Sequence, residues 1–201
     1  RFDRERETKQ TQQLARFMDA LVLPSHRDWQ RWADAGQYPL DVIAPLKASA
    51  RTAGLWNLFL PGLRADEPGT RLSNLEYAPL AELMGRLPWA SEVFNCSAPD
   101  TGNIELLHRF ASPAQRAQWL LPLLDGAIRS CFAMSEPDVA SSDPTNLGTR
   151  IAREGDDYVL NGRKWFITGA AHPNCRLVIV MGVSDAAPDA AAHRRHSLLL
   201  V

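Results

Sequence analysis

Cysteine is scarce in this sequence: three residues in 201, at positions 96, 131 and 175. An odd and widely spaced set does not make a disulfide framework, and it fits buried or free thiols in a reducing compartment. Surplus charge is missing as well. Lys and Arg number 22 against 23 Asp and Glu, a net charge of −1, which argues against a nucleic-acid or anionic-membrane partner. The basic run His193-Arg-Arg-His196 is too short to change that. No apolar run reaches the ~20 residues that span a bilayer. The opening RFDRERETKQTQQ is too polar for a signal peptide and lacks an initiator Met, so residues upstream are expected. Gly-rich phosphate loops of either common type are absent, and so is a G-x-S-x-G elbow. His172-Pro-Asn-Cys175 has a spacing that a metal could use, but no second ligand pair accompanies it. A strand-entry loop is the plainer reading, and no metal is expected.

What is present begins with helix grammar. Leu14, Phe17, Met18 and Leu21 follow the i, i+3, i+4, i+7 rule and predict a helix from about Thr8 to Val22. Val42, Ile43 and Leu46 mark a second helix, which Gly54 can end. Ser73-Asn-Leu-Glu76 is a capping-box pattern before Leu80, Leu83, Met84 and Leu87, with Pro79 early enough to be tolerated. Ser112-Pro-Ala-Gln115 repeats that pattern and opens a helix through Trp119 to about Leu124, stopping near Gly126.

After Gly126 the grammar changes to strands. Asn161-Gly162 lies between β-rich runs, which predicts a hairpin over Tyr158 to Thr168, because both turn residues need positive φ. Further strands are expected at Arg176 to Met181 and Ser197 to Val201, and a surface loop at Asp185 to Ala192. The expected architecture is an all-α domain over residues 1–127, then an incomplete antiparallel β-barrel or sandwich over 128–201. The chain stops in the apolar run Ser197-Leu-Leu-Leu-Val201, so it is expected to be truncated.

The stretch CFAMSEPDVASSDPTN, Cys131 to Asn146, holds the chemistry. It starts as a strand and becomes a loop of small and hydroxylated residues pinned by two prolines. Ser135, Ser141 and Ser142 have no neighbouring His to activate them as nucleophiles. The loop offers backbone N–H groups and short hydroxyls, with Ala140 keeping the wall low, a surface for a flat heteroaromatic ring or a phosphate. On a strand, Phe166 and Thr168 share one face and Trp165 and Ile167 the other. Phe166 and Thr168 could stack and anchor a ring, but a barrel core with one wet edge explains the same residues. Glu136, beside Pro137, could be a base; bonding to nearby backbone N–H groups is the better reading. Asp100-Thr-Gly-Asn103 reads as a turn and N-cap before a pocket wall. His108 reads as a helix residue without an evident partner.

Together these segments resemble a known family. Phe132-Ala-Met-Ser-Glu-Pro137, followed by Asp138-Val-Ala-Ser-Ser-Asp143 and Asn146, is similar to the flavin-binding signature of the acyl-CoA dehydrogenases. Asn161-Gly-Arg-Lys-Trp-Phe-Ile-Thr-Gly169 resembles their second signature. Leu75-Glu-Tyr-Ala-Pro-Leu-Ala-Glu82 and Ala98-Pro-Asp-Thr-Gly-Asn-Ile-Glu105 resemble the helical domain, in particular that of family members ten and eleven. The resemblance runs from about Phe17 to Val201.

It implies a helical N-terminal domain, a central β domain and a C-terminal helical domain that is absent from this chain. It further implies FAD, a fatty acyl-CoA substrate oxidised to an enoyl-CoA by hydride transfer to the flavin, an electron-transferring flavoprotein as acceptor, and a homodimer or homotetramer. By position, Phe132, Met134 and Ser135 would line the flavin's pyrimidine side, and Phe166, Ile167 and Thr168 would pass its N5. Ser141 and Ser142 would stand where pyrophosphate and CoA come close, Ser142 also touching substrate. The family's catalytic Glu and main CoA-binding Arg fall beyond Val201, so no catalytic residue is expected here. Three positions depart from the commonest pattern: Ser135 stands for Thr, Phe166 for Trp and Ala140 for Gly. Related readings are an acyl-CoA oxidase, a nitroalkane-oxidising relative, and a non-catalytic scaffold. The expected location is the cytoplasm, or mitochondria or peroxisomes in a eukaryote.

Overall fold

Leu14, Phe17 and Met18 do line one buried stripe, and in a computed structural model, which describes residues 4–184 and 191–201, they belong to helix α1, Arg4–Phe17, and the turn after it. That turn, Met18–Val22, is a π turn. Its wider winding rotates the following residues, so Val22 is fully buried while Leu21, expected in the stripe, is 40% exposed. Helix α2, His26–Asp34, was not expected. Its own residues are none of them buried, but Trp29 lies face to face with Trp89, the ring centroids 5.4 Å apart and the planes 6° apart.

The remaining helices start and stop where their caps dictate. Helix α3, Leu40–Thr52, buries Ile43, Leu46 and Ala50, and the chain leaves it through Gly54 at φ +71°. Helix α4, Asn74–Met84, has its capping box: Glu76 N–H donates to Ser73 Oγ and Ser73 N–H to Glu76 Oε2. Leu80 and Met84 are buried, with Leu83 and Leu87 packed against the same core. The single turn α5 (Ala90–Val93) and the helix α6 (Asp100–Phe110) follow. Ser112 caps α7, Pro113–Gln115, which continues through a π turn, Arg116–Leu120, into α8, Leu121–Asp125. Gly126 ends α8 at φ +70°, where a Cβ would lie 2.7 Å from the Trp56 ring.

Two buried polar knots tie the long connections to these helices. Asn57 donates its amide to Pro68 O and Leu124 O, and Asn95 donates to Asn57 Oδ1 and Leu123 O. Around Glu67, His108 Nε2 lies 2.9 Å and Arg116 Nη2 2.5 Å from its carboxylate, and Arg64 N–H donates at 2.8 Å. His108 therefore has a partner after all. Sequence separation hid it. Cys96 is a buried thiol, and burial pushes it up to about 12, too high for a nucleophile at neutral pH. Residues 1–127 form one compact unit and 128–201 a second.

The second unit is built on strands β1 (Arg129–Ala133), β2 (Arg150–Glu154), β3 (Asp157–Asn161), β4 (Cys175–Val183) and β5 (His196–Leu200), in the order β1-β4-β2-β3 with β5 on β4. The sheet is mixed rather than antiparallel, and among the described residues it does not close. Between β1 and β4 the chain makes the β2–β3 hairpin and returns in its original direction, so β1 and β4 pair in parallel, from Arg129↔Cys175 to Ala133↔Val180. β4–β5 and β2–β3 are antiparallel.

The hairpin expected over Tyr158 to Thr168 is misplaced by one strand. It runs from Arg150 to Asn161, with Glu154↔Asp157 as its last pair and Gly155 at φ +65° in the two-residue loop. Gly155-Asp156 is also a hairpin signal, and Asn161-Gly162 masked it. Gly162 does not sit in that turn. A Cβ on it would lie 2.3 Å from Thr149 Oγ1, so it is glycine because Thr149 packs against its backbone. The strand-entry reading of His172 to Cys175 matches the structure: Cys175 N–H donates to His172 O where β4 begins. Of the loop expected at Asp185 to Ala192, residues 185–190 lie outside the described residues.

Candidate functional site

β1 delivers Phe132 and then runs straight into Met134, Ser135 and Glu136. The Glu136 side chain turns inward, 7% exposed, and gathers three stretches of chain. Gly148 N–H donates to its Oε2 at 2.7 Å, Thr149 N–H to its Oε1 at 2.9 Å, and the Lys164 ammonium to Oε1 at 2.8 Å. Burial alone would raise the carboxyl's pKa, but hydrogen bonding from Lys164, then from Thr149 and the Gly148 and Thr149 backbone, outweighs it and lowers it to about 2. A carboxylate so engaged is a poor proton acceptor at neutral pH. Glu136 bonds nearby backbone N–H groups, as its place beside Pro137 suggested.

Lys164 makes a second bond, to Met134 O at 2.8 Å, and next to it Trp165 N–H donates to Ser135 O at 3.1 Å. These contacts bring the two signature segments side by side. The sequence placed Trp165 to Thr168 on a strand with alternating faces, and the structure does not: β3 has ended at Asn161, and the chain passes Ser135 as an irregular arc. Phe166 holds φ +49° and is 82% exposed, its ring centroid 4.6 Å from that of Trp165. A turn from Ile167 O to Ala170 N–H closes the arc.

The loop after Glu136 is built from its own side chains. Ser141 Oγ accepts from Glu136 N–H at 3.0 Å, and Asn146 donates to Ala140 O at 3.1 Å. Asp143 Oδ1 accepts from Thr145 N–H and caps the short turn Pro144–Asn146. Part of the hydroxyl inventory is therefore spent inside the loop. Phe132, Met134, Ser135, Ser141 and Ile167 are half-buried; Ser142, Phe166 and Thr168 are exposed. Sequence reasoning missed Lys164 and the Gly148-Thr149 amides. Nothing local marks them, since Lys164 acts on a residue 28 positions away. Such a wall offers two exposed aromatic residues, Trp165 and Phe166, with short hydroxyls and a fixed backbone, the surface on which a flat ring can stack and be hydrogen-bonded.

Comparison with known proteins covers nearly the whole chain. Residues 4–127 match the family description "Acyl-CoA dehydrogenase, N-terminal domain" and residues 131–201 "Acyl-CoA dehydrogenase, middle domain". The probable acyl-CoA dehydrogenase FadE2 of Mycobacterium tuberculosis is 52% identical over 94% of this chain and 46% of its own length. Acyl-CoA dehydrogenase family member 10 of Mus musculus is 49% identical over 94% of this chain and 18% of its own. The structure of a putative acyl-CoA dehydrogenase from Mycobacterium abscessus superimposes with TM-score 0.85 at 47% identity, covering 98% of this chain and 50% of that one. A glutaryl-CoA dehydrogenase from Mycobacterium smegmatis, solved in complex with FADH2, shares the fold at TM-score 0.71 and 20% identity, over 100% of this chain and 46% of that one. The chain thus spans about half the length of FadE2 and less of the animal relative.

Proposed function

This chain belongs to the acyl-CoA dehydrogenase family, and we propose that it forms the helical N-terminal domain, residues 1–127, and part of the flavin-binding β domain, residues 128–201, of an FAD-dependent acyl-CoA dehydrogenase. The observation that carries the reading is the contact between the two signature segments, Trp165 N–H on Ser135 O and Lys164 on Met134 O. It sets an exposed aromatic beside a half-buried hydroxyl on pinned backbone, which fits a flavin ring.

In this reading FAD supplies the hydride acceptor for α,β-dehydrogenation of an acyl-CoA to its enoyl-CoA. The chain's own residues bind and orient. Phe132, Met134 and Ser135 line the pyrimidine side, and Phe166, Ile167 and Thr168 line the side that meets substrate. Ser141 and Ser142 stand where the pyrophosphate lies, Ser142 also toward the acyl-CoA. Donors aimed at the ring favour its electron-rich reduced form. Glu136 takes no proton; the base and the CoA-anchoring Arg fall beyond Val201. An electron-transferring flavoprotein as acceptor, a homodimer or homotetramer, and a cytoplasmic, mitochondrial or peroxisomal location complete the proposal. No helix among the described residues is long and apolar enough to cross a membrane.

The test uses the full-length protein. It should purify with FAD, and saturated acyl-CoA should bleach the flavin anaerobically with formation of enoyl-CoA. Thr168→Val should weaken FAD retention or shift its potential, a loss of about fivefold for one aimed hydrogen bond. A full-length protein that takes up no FAD would sink the proposal.

A further inference from the structure

We propose that Glu136 and Lys164 are positioning residues: a buried ion pair behind the wall that fixes Phe166 and Thr168 relative to Ser135, and thereby sets how tightly and at what potential the flavin is held. The inference rests on the flavin-binding reading above and deepens it.

The pair ties together three stretches of backbone that lie just outside the strands. Residues 134–136 lie past the end of β1, 148–149 precede β2, and 164–165 lie past β3. All three stretches meet at one carboxylate through Gly148 N–H, Thr149 N–H and Lys164 Nζ, and Lys164 reaches back to Met134 O. Apolar side chains could fill the same volume, but they would leave these amides and this carbonyl unpaired, the Thr149 amide in a buried setting. A hydrophobic contact also tolerates sliding, whereas two directed bonds from one ammonium set a distance and an angle.

Phe166 supplies the second, independent observation. A bulky residue at φ +49° is uncommon and strained, and such a conformation persists only where its surroundings over-determine it. The arc is held at one end by Lys164 and Trp165 on Met134 and Ser135, and at the other by Ala170 N–H on Ile167 O. Freed at the first end, Phe166 can return to negative φ and carry its ring away from Ser135. The Glu136 and Lys164 side chains are 7% and 11% exposed, so they act through the backbone they hold rather than by touching the ring.

The experiment compares full-length wild type, Lys164→Met and Glu136→Gln, with Arg116→Met as a control that breaks the Glu67 cluster in the helical unit. FAD affinity is measured by titrating apoprotein, the flavin midpoint potential by spectroelectrochemistry, and Tm by calorimetry. Both wall variants should bind FAD about tenfold more weakly and show a displaced potential. The control should lose Tm with affinity and potential unchanged. Wall variants that lose Tm like the control but keep wild-type affinity and potential would reduce the pair to a structural role and overturn the proposal. If Lys164→Met does not fold, Glu136→Gln, which keeps the volume and one acceptor oxygen, decides by the same readings. Wild type that binds no FAD would instead defeat the flavin-binding reading, and the inference with it.

Discussion

Asn57 and Asn95 show how much a single side chain settles. Both are buried at positive φ, 48° and 54°, a region asparagine tolerates better than most residues. Each also donates its amide to a carbonyl near the end of α8, Leu124 O and Leu123 O. Asn57→Ala should destabilise the helical unit by about 2–4 kcal/mol, from an unpaired Pro68 carbonyl, an Asn95 amide that loses Asn57 Oδ1, and the left-handed backbone, while Leu124 O keeps its bond from Trp56 Nε1. Asn57→Gly should recover only the backbone part; chemical denaturation measures both. Glu136 gives a residue-scale pH prediction. Its carboxyl is lowered from 4.5 to about 2 in the folded chain, so it releases its proton more readily folded than unfolded. Its contribution is complete above about pH 4.5 and is lost as pH falls through about 2. Wild type should therefore lose stability across that window more steeply than Glu136→Gln; equal slopes would remove Glu136 as a contributor.

At the scale of elements, capping and turn chemistry decide where segments begin, while packing decides which residues face inward. Ser73→Ala removes one half of the α4 box and should cost about 1 kcal/mol. Two glycines of the β2–β3 region separate turn chemistry from close packing. At Gly155 nothing lies within 4 Å of an added Cβ, so Gly155→Ala meets only the positive φ, about 1 kcal/mol. At Gly162 a Cβ runs into Thr149, side chain and backbone, and Gly162→Ala should cost about 1–3 kcal/mol. It should also disturb FAD binding, because Thr149 N–H is one of the Glu136 donors. If Gly155→Ala proves the more damaging, Gly162 has been assigned the wrong reason.

At the scale of the whole molecule, the proposed reading makes this chain a flavin wall and assigns the removal of the substrate proton to none of its described residues. Expressed alone, they are expected not to dehydrogenate acyl-CoA. Loss of a general base typically costs about 10²–10⁴-fold, and an unenclosed ring and thioester lose their mutual orientation as well. Purified with added FAD and saturated acyl-CoAs under anaerobic conditions, the chain should leave the flavin unbleached. Stoichiometric bleaching would return Glu136 to consideration as a base.

What this sequence determined by itself is everything carried by local chemistry. Both capping boxes, the stops at Gly54 and Gly126, the change from helices to strands, and the two signatures could all be seen in short stretches of chain. The helical stripe was visible up to Met18 and then failed at Leu21, because a π turn depends on packing rather than on spacing. The hairpin was visible but assigned to the wrong glycine, since two adequate turn signals stood seven residues apart and only the β2–β3 register chose between them. The parallel pairing of β1 with β4, the Glu67 cluster around His108, and the meeting of Glu136 with Lys164 were decided by tertiary structure alone. Each joins residues far apart in sequence, and no local preference encodes a partner that only the folded chain brings within bonding distance.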